Sequence, residues 1–235
     1  MKKLTLTVAG VLALATLPAT AADLRPAAKA PVAPVVAPFN WSGFYIGING
    51  GGGWGRSRHS FPLTGLSTGD FNVDGGLIGG TIGANFQTGA FVFGLEGDLD
   101  WSGIKGSTAC PNPAFTCETD NRWLGTVRGR IGYAMGTVMP YVTGGLAVGD
   151  IRMRTISFGS ETETKAGWTL GAGLEFALNP SWSIKGEYLY VDLGTATCGT
   201  GICGVGADDV RFRAHVLRAG INHRFNIGGP VVASY

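Results

Sequence analysis

Charge and long apolar runs are both scarce in this chain of 235 residues. Asp, Glu, Lys and Arg together make up 14% of it, whereas a typical soluble domain carries about 25%. An uninterrupted apolar run occurs at residues 4–17, which is shorter than the roughly 20 residues that a membrane-spanning helix needs. The composition therefore argues against both an ordinary soluble domain and a helical membrane protein.

The amino terminus predicts export from the cytoplasm. Two lysines precede the apolar run, a proline follows it, and the residues up to Ala22 are small enough for cleavage. We expect a signal peptide at residues 1–22 and a Pro- and Ala-rich periplasmic lead-in at residues 23–40. The 18 bases and 16 acids come close to balance once Lys2 and Lys3 are removed, so the sequence offers no basic footprint for nucleic acid.

Glycine is abundant, at 40 positions, and from Trp41 onward hydrophobicity alternates with a period of two. Residues 91–101 show this best, because apolar side chains occupy odd positions while Glu96, Asp98 and Asp100 occupy even ones. Such alternation predicts strands with one polar and one apolar face, and glycine suits the close backbone approach of a barrel wall. Because only helices and closed barrels satisfy every backbone polar group in hydrocarbon, the pattern predicts a membrane barrel.

Aromatic residues recur at intervals of eight or ten along these segments. Ten residues of a tilted strand rise roughly 25 Å, the height of the apolar band of an outer-membrane barrel. The spacing predicts an aromatic girdle made of Phe91, Trp101, Trp123, Tyr133, Trp168, Phe176, Trp182, Tyr190 and Phe225. The opposite faces carry the expected lumen charges, which are Glu96, Asp98, Asp100, Arg128, Arg130, Glu175, Lys185, Glu187, Arg218 and Arg224.

The lumen charges include both signs. An eight-stranded barrel is just wide enough for side chains to fill it, and buried charges must pair to offset their desolvation. We therefore predict an interlocked ion-pair plug, with a narrow or gated polar pore as the alternative. The alternation also puts Arg122 on the polar face, while the facing of residues 139–154 stays undecided.

Chain length sets the strand number. Residues 41–226 accommodate eight membrane strands of about 9–11 residues with their connections. We predict an all-β fold, an eight-stranded antiparallel transmembrane β-barrel with short periplasmic turns, four longer external loops and a C-terminal tail at residues 227–235. The turns are expected near 87–89, 135–137 and 179–181, and the loops near 56–72, 104–120, 155–164 and 193–210.

All four cysteines fall in predicted external loops. Cys110 and Cys117 share the second loop, and Cys198 and Cys203 share the fourth. Export permits disulfides, and the spacing, with no histidine nearby, matches no zinc site well. We predict one disulfide within each loop and no metal site.

Candidate ligand-binding and catalytic residues are few. His59 falls in the first predicted loop near Arg56 and Arg58, and an exposed histidine with flanking arginines could bind the iron and carboxylates of haem. An ordinary solvated loop residue is the simpler interpretation. Residues 65–69 match G-x-S-x-G, but no helical period follows, as a hydrolase elbow would require. We expect no enzymatic activity and no cofactor, with haem as the weaker alternative.

Three segments carry a family resemblance: residues 40–47 (NWSGFYIG), 140–147 (PYVTGGLA) and 217–225 (LRAGINHRF). They resemble the small outer-membrane proteins of alphaproteobacteria, a porin-like family of surface antigens related to opacity-type and OmpA-type barrels. Many members end at a terminal Phe that the barrel-insertion machinery reads. Here residues follow Phe225, so Phe225 and the terminal Tyr235 are alternative insertion signals.

The resemblance implies an integral protein of the Gram-negative outer membrane that contacts its lipid and lipopolysaccharide and carries no catalytic residues. A structural role in the envelope or a contact with the host surface is the first functional expectation. A small diffusion channel and a haem-binding surface receptor are the alternatives.

Overall fold

The computed structural model describes residues 39–112, 114–155, 159–199 and 208–225. These residues form a closed barrel of eight antiparallel strands in sequential order, so the predicted fold class is confirmed. The strands are β1 (Gly43–Phe61), β2 (Leu66–Thr88), β3 (Phe91–Ala109), β4 (Thr116–Tyr133), β5 (Val138–Thr155), β6 (Gly159–Ala177), β7 (Trp182–Cys198) and β8 (Asp208–Phe225). The predicted signal peptide, nearly all of the lead-in and the tail lie outside the described residues.

No helix long and apolar enough to cross a membrane occurs in the described part of the chain. The barrel closes where β1 pairs with β8, with Phe44 opposite Phe225. In this barrel class both termini lie on the periplasmic side, so the end of the barrel at Phe44 and Phe225 is the periplasmic end.

The strands are much longer than the membrane requires, at 17 to 23 residues against about 9–11. The predicted bounds of the external loops were therefore wrong. The loop expected at 56–72 shrinks to residues 62–65, because β1 continues to Phe61 and β2 begins at Leu66. Likewise β3 and β4 fill most of 104–120, and the adjoining strands extend into 155–164 and 193–210. The periplasmic connections at 89–90, 134–137 and 178–181 lie close to the predicted turns.

Two rings of aromatic side chains mark the two levels of the barrel that the predicted girdle occupies. At the periplasmic level Phe91 lies opposite Tyr133, and Trp182 lies opposite His223. The external ring is defined by Trp54, Trp101, Trp123, Trp168, Tyr190 and His215. The other predicted girdle members, Phe176 and Phe225, lie at the periplasmic level. We call the barrel between the rings the membrane half, and the part beyond the external ring the external half.

The polarity of the two barrel surfaces reverses at the external ring. On β8, the outward side chains of Ile221, Ala219 and Leu217 are apolar between the two rings, and Arg213 beyond the external ring is charged. Inward side chains of the same strand change from the charged Arg218 to the apolar Phe212. The sequence-based expectation of charged inside and apolar outside therefore holds for the membrane half and is reversed in the external half.

An apolar core fills the interior of the external half. Its side chains come from β2, β3, β4, β5, β7 and β8, and most of their surface is removed from water. Its members are Phe71, Val73, Leu77, Ile104, Leu124, Ala147, Ile151, Met153, Leu189, Val191, Leu193, Ala196, Cys198, Val210, Phe212, Ala214 and Val216. Water surrounds this half on the outside, so it is built like a soluble barrel, with its apolar side chains buried from water.

The prediction that Arg122 lies on the inward, polar face was wrong, because a β-bulge in β4 turns this residue outward. The register of β4 against β5 shifts between Asp120 and Leu124, so inward positions change from even to odd numbers, as Leu124 and Asn121 show. Arg122 consequently points outward, with its side chain 58% exposed, and its Nε lies 2.8 Å from Asp150 Oδ2. Bulges insert one extra residue and re-aim the side chains that follow.

The facing of β5, which the sequence left undecided, follows the common pattern. Tyr141 and Thr143 are buried inside the barrel, whereas Val142 and Leu146 are exposed on the outer wall. Farther along the strand, Ile151 joins the apolar core of the external half.

Candidate functional site

The ten predicted lumen charges are all buried inside the membrane half. Alternation along β3, β4, β6, β7 and β8 turns them inward, because residues two apart share one face of a strand. They comprise five carboxylates and five bases: Glu96, Asp98, Asp100, Glu175, Glu187, Arg128, Arg130, Lys185, Arg218 and Arg224.

Two arginines form the centre of this cluster. Arg128 donates from Nη1 to Glu187 Oε2 at 2.7 Å and from Nη2 to Asp98 Oδ2 at 2.8 Å. Arg218 donates from Nη2 to Asp98 Oδ1 at 2.8 Å and from Nη1 to Asp100 Oδ2 at 2.6 Å. The Asp98 carboxylate thus binds both guanidinium groups.

Glu96 extends the cluster toward the periplasmic end. Its Oε2 accepts a hydrogen bond from Lys185 Nζ at 2.8 Å and another from the Tyr45 hydroxyl at 2.7 Å. Arg130 bridges Glu96 to Glu175 through its two terminal nitrogens. These contacts join β1, β3, β4, β6 and β7 across the lumen.

Nine of the ten charges belong to one connected network, which we call the lumen network; Arg224 is the exception among the described residues. The remaining strands supply hydroxyl groups, since Thr81 donates to Asp98 and Tyr141 donates to Glu187. Every strand therefore reaches the network. Because an unpaired buried charge is costly, this mutual pairing is what allows charges to fill the barrel.

A second layer closes the periplasmic mouth below the network. Trp41, 1% exposed, packs with Val92, Met139 and Tyr141. Its Nε1 donates to the carbonyl oxygen of Gly136 at 3.1 Å. The guanidinium of Arg224 lies 4.9 Å from the Trp41 ring. The lumen thus contains three successive layers: the Trp41 cluster, the lumen network and the apolar core of the external half.

The sequence did not predict a closing role for Trp41. The residue was recognised only as part of the segment that opens the barrel, because nothing in residues 39–42 shows that this segment turns into the mouth. The tyrosine hydroxyls of the lumen network were missed for a similar reason. Tyrosine is common on either face of a strand, so its facing follows from register and not from its identity.

The structure contradicts the prediction that His59, the haem candidate, is an exposed loop residue. This residue lies in β1, not in a loop, and its side chain is completely buried in the external half. Its Nε2 lies 2.9 Å from Thr119 Oγ1, and its ring lies 5.7 Å from that of Phe71. A ligand as large as haem has no direct approach to a buried nitrogen, so His59 is not supported as an exposed haem ligand.

The first predicted disulfide is confirmed, between Cys110 in the connection from β3 to β4 and Cys117 near the start of β4. Cys198 is also disulfide-bonded. Its predicted partner, Cys203, lies outside the described residues, so this pairing stays a prediction. In the described residues, no group of three or more His, Cys, Asp or Glu side chains could hold a metal ion.

Comparison with known proteins adds the family to this geometry. The family model described as the outer membrane protein beta-barrel domain matches residues 8–225. The chain belongs to this outer-membrane β-barrel family. It is 36% identical to the 31 kDa outer-membrane immunogenic protein of Brucella melitensis, with 92% of this chain and 98% of that protein covered. It is 34% identical to a 22 kDa outer membrane protein of Rhizobium leguminosarum, over 68% of each chain.

The fold has a counterpart among solved structures. The outer membrane protein OprG of Pseudomonas aeruginosa superposes with a TM-score of 0.51 at 16% identity, covering 79% of this chain and 97% of OprG. Such low identity supports the shared fold alone. Family membership and the barrel together establish an integral protein of the outer membrane, as the sequence predicted.

Proposed function

We propose that this outer-membrane barrel is a closed structural protein of the envelope, without turnover and without a diffusion pathway through its lumen. The observation that carries the proposal is the lumen network, which joins nine charged side chains from five strands across the barrel. An ion that crossed would have to separate buried pairs such as Arg128 and Glu187, and uncompensated buried charge is costly.

Conductance of the purified protein in planar lipid bilayers tests this proposal. We expect no current steps from the wild type under conditions in which a general porin, inserted as a positive control, conducts. Current steps whose cation-to-anion selectivity changes in Arg128→Lys would establish a pathway through the lumen network and overturn the proposal.

A contact role at the cell surface is supported by the external half. Its long strands carry polar side chains outward beyond the external ring, and the β1–β2 connection at the tip exposes Leu63. Immunogenicity is stated in the names of the Brucella relatives, and we propose that this chain too presents its external half to the surroundings.

Labelling of intact cells tests that orientation. A cysteine introduced by Leu63→Cys should react with a membrane-impermeant maleimide. The matched control is Leu178→Cys, which lies in a turn at the opposite end with 59% exposure and should react only after lysis. Labelling of the control alone on intact cells would reverse the proposed orientation.

A further inference from the structure

Four arginines lie together on the outer wall of the barrel, immediately beyond the external ring. Arg56 on β1 is directly opposite Arg213 on β8, and Arg58 is directly opposite Arg211. The four side chains line a groove of about 580 Å³. The next outward-facing pair toward the membrane, Trp54 and His215, also lines this groove, together with Tyr190. We call these arginines the arginine quartet.

The arginine quartet is an unfavourable arrangement for a protein by itself, because like charges directly opposite each other on neighbouring strands are destabilising. Arg58 Nε lies 2.8 Å from Asp70 Oδ1. Arg213 and Arg211 share Asp192, at 3.2 and 3.5 Å. Among the described residues Arg56 has no ion pair, so the quartet keeps two more cations than these two carboxylates neutralise.

Arginines elsewhere on the same wall face acids instead. In the external half of β5, Arg152 lies opposite Asp120, and Arg154 lies opposite Glu118. The direct opposition of arginines at the boundary between β1 and β8 thus differs from the arrangement on β5. An anion bound between the four guanidinium groups would relieve the repulsion and complete their charge-assisted hydrogen bonds.

A second groove, of about 650 Å³, lies within the membrane half and is lined mainly by β1, β8 and the neighbouring strand β7. Gly50 and Ala219, which oppose each other, lie two outward positions from the pair Trp54 and His215. Exposed aliphatic side chains border the groove, among them Ile48 at 66% exposure. Its lining, which is mostly apolar and includes only Asn49 and Lys185 as polar side chains, and its position in the membrane suit a hydrocarbon chain.

Internal packing does not require the two outward-facing glycines of this groove, Gly50 and Gly186. A Cβ atom at Gly186 would meet no heavy atom within 4 Å, and one at Gly50 would make only ordinary van der Waals contacts. By contrast, a Cβ at Gly51, on the inner face, would lie 2.1 Å from the backbone oxygen of Leu217. The outward glycines thus create open space on the lipid-facing wall without being needed for strand approach.

We propose that the arginine quartet and the groove beneath it form one binding site for a phosphorylated lipid of the outer leaflet, of the lipid A class. The planar guanidinium groups would bind the lipid phosphates bidentately, at the headgroup level that interfacial aromatic residues mark. An acyl chain would occupy the glycine-lined groove. The site lies on the outer wall and goes beyond the proposed structural role, so bilayer conductance and lipid binding can fail independently.

Titration of the purified full-length protein in detergent with bisphosphorylated lipid A tests the site. The variant Arg56→Ala/Arg213→Ala should bind about tenfold or more weakly, because it removes charge-assisted hydrogen bonds to the lipid phosphates. The matched control, Arg152→Ala/Arg154→Ala, removes equal charge from the same half and should bind like the wild type. Dephosphorylated lipid A should bind the wild type as weakly as lipid A binds the quartet variant.

The variant Gly186→Leu examines the acyl groove separately and leaves the quartet intact. It should weaken lipid A binding several-fold and leave the weak binding of inorganic pyrophosphate unchanged. Equal lipid A affinity for the wild type and the quartet variant would overturn the site. Pyrophosphate binding as tight as that of lipid A would make it a free-phosphate site, and tighter binding of a sulfated oligosaccharide would make it a glycan site; either outcome overturns the lipid proposal. Heat-dependent gel mobility verifies that each variant is folded.

Discussion

The membrane half and the external half of this barrel are made from the same strands with opposite polarity. In the membrane half, charged groups such as Arg128 are inside and aliphatic ones such as Leu95 are outside. In the external half, the interior holds Phe212 and Val210, while Arg213 and Arg211 line the outer wall. Between β1 and β8 the hydrogen-bonded ladder runs through both halves without a register shift, and the polarity still reverses there, so the backbone does not set this difference.

The surrounding solvent sets it. Lipid removes the penalty for exposing aliphatic side chains, so burial of apolar surface cannot tell the inside of the membrane half from its outside. Charged pairs do distinguish the inside from the outside, because a one-residue shift in the register of a strand would place its charged side chains in the hydrocarbon. In the external half water surrounds the wall, and the ordinary hydrophobic effect again selects an apolar interior. The lumen network therefore specifies facing in one half as the apolar core does in the other.

Removal of a central charge is the strongest test of this comparison. Arg128→Met should lower the free energy of unfolding by about 3–5 kcal/mol, because it removes one cationic partner from each of three buried carboxylates, those of Glu96, Asp98 and Glu187. Arg154→Met, on the outer wall of the external half with a 52% exposed side chain 3.7 Å from Glu118, should cost no more than about 1 kcal/mol. Urea titration of the protein in vesicles, followed by heat-dependent gel mobility, measures both.

A small loss in Arg128→Met, similar to that of the Arg154→Met control, would contradict the idea that the network specifies the membrane half. Water would then have to solvate the remaining carboxylates, and the lumen would be wetter than its buried side chains indicate.

The outer wall gives the second test, with an added charge in each half of β3. Leu95 is 67% exposed midway between the two rings, and Leu95→Arg should cost about 2–4 kcal/mol, as a charge on the lipid face does near the midplane. Ser107 lies on the outer wall of the same strand beyond the external ring, opposite Glu118, and Ser107→Arg should change stability by less than about 0.5 kcal/mol. The same urea titration compares the two variants. Equal losses would mean that the external ring does not mark the edge of the hydrocarbon.

Sequence alternation predicted the membrane half well and the external half poorly. Along β3 the even-numbered acids from Glu96 to Asp100 alternate with apolar residues, which fixes both strand and facing. Beyond the external ring the inward positions of most strands keep the same odd or even numbering, but their side chains are apolar and the outward ones are polar. In β4 and β7 the inward positions also switch between odd and even numbers, at the bulge before Leu124 and at Gly194, whose φ is +73°. Because the outward residues of these strand extensions are polar, their composition resembles that of a loop, and the extensions of β1 and β2 were therefore predicted to be a loop.

The candidate site was predictable only in part, for a related reason. Each charge of the lumen network could be assigned to the interior from its own strand, but the partners depend on registers that join distant segments, as Arg218 and Asp100 do across the lumen. The arginine quartet is similarly hidden in the sequence. Arg56 and Arg213 become neighbours only because the barrel closes between its first and last strands.

The smallest expected effect on stability concerns the arginine quartet, where like charges face each other on the outer wall of the external half. Without lipid, Arg56→Ala should leave stability unchanged or raise it by about 0.2–1 kcal/mol, because it removes a like-charge pair with Arg213. In vesicles that contain lipid A the sign should reverse, since a ligand that binds only the folded state stabilises it. Urea midpoints in the two media, with Arg154→Ala as the control, measure the reversal. A loss of stability in both media would mean that Arg56 supports the fold itself, and that the repulsion across β1 and β8 is already neutralised without a bound anion.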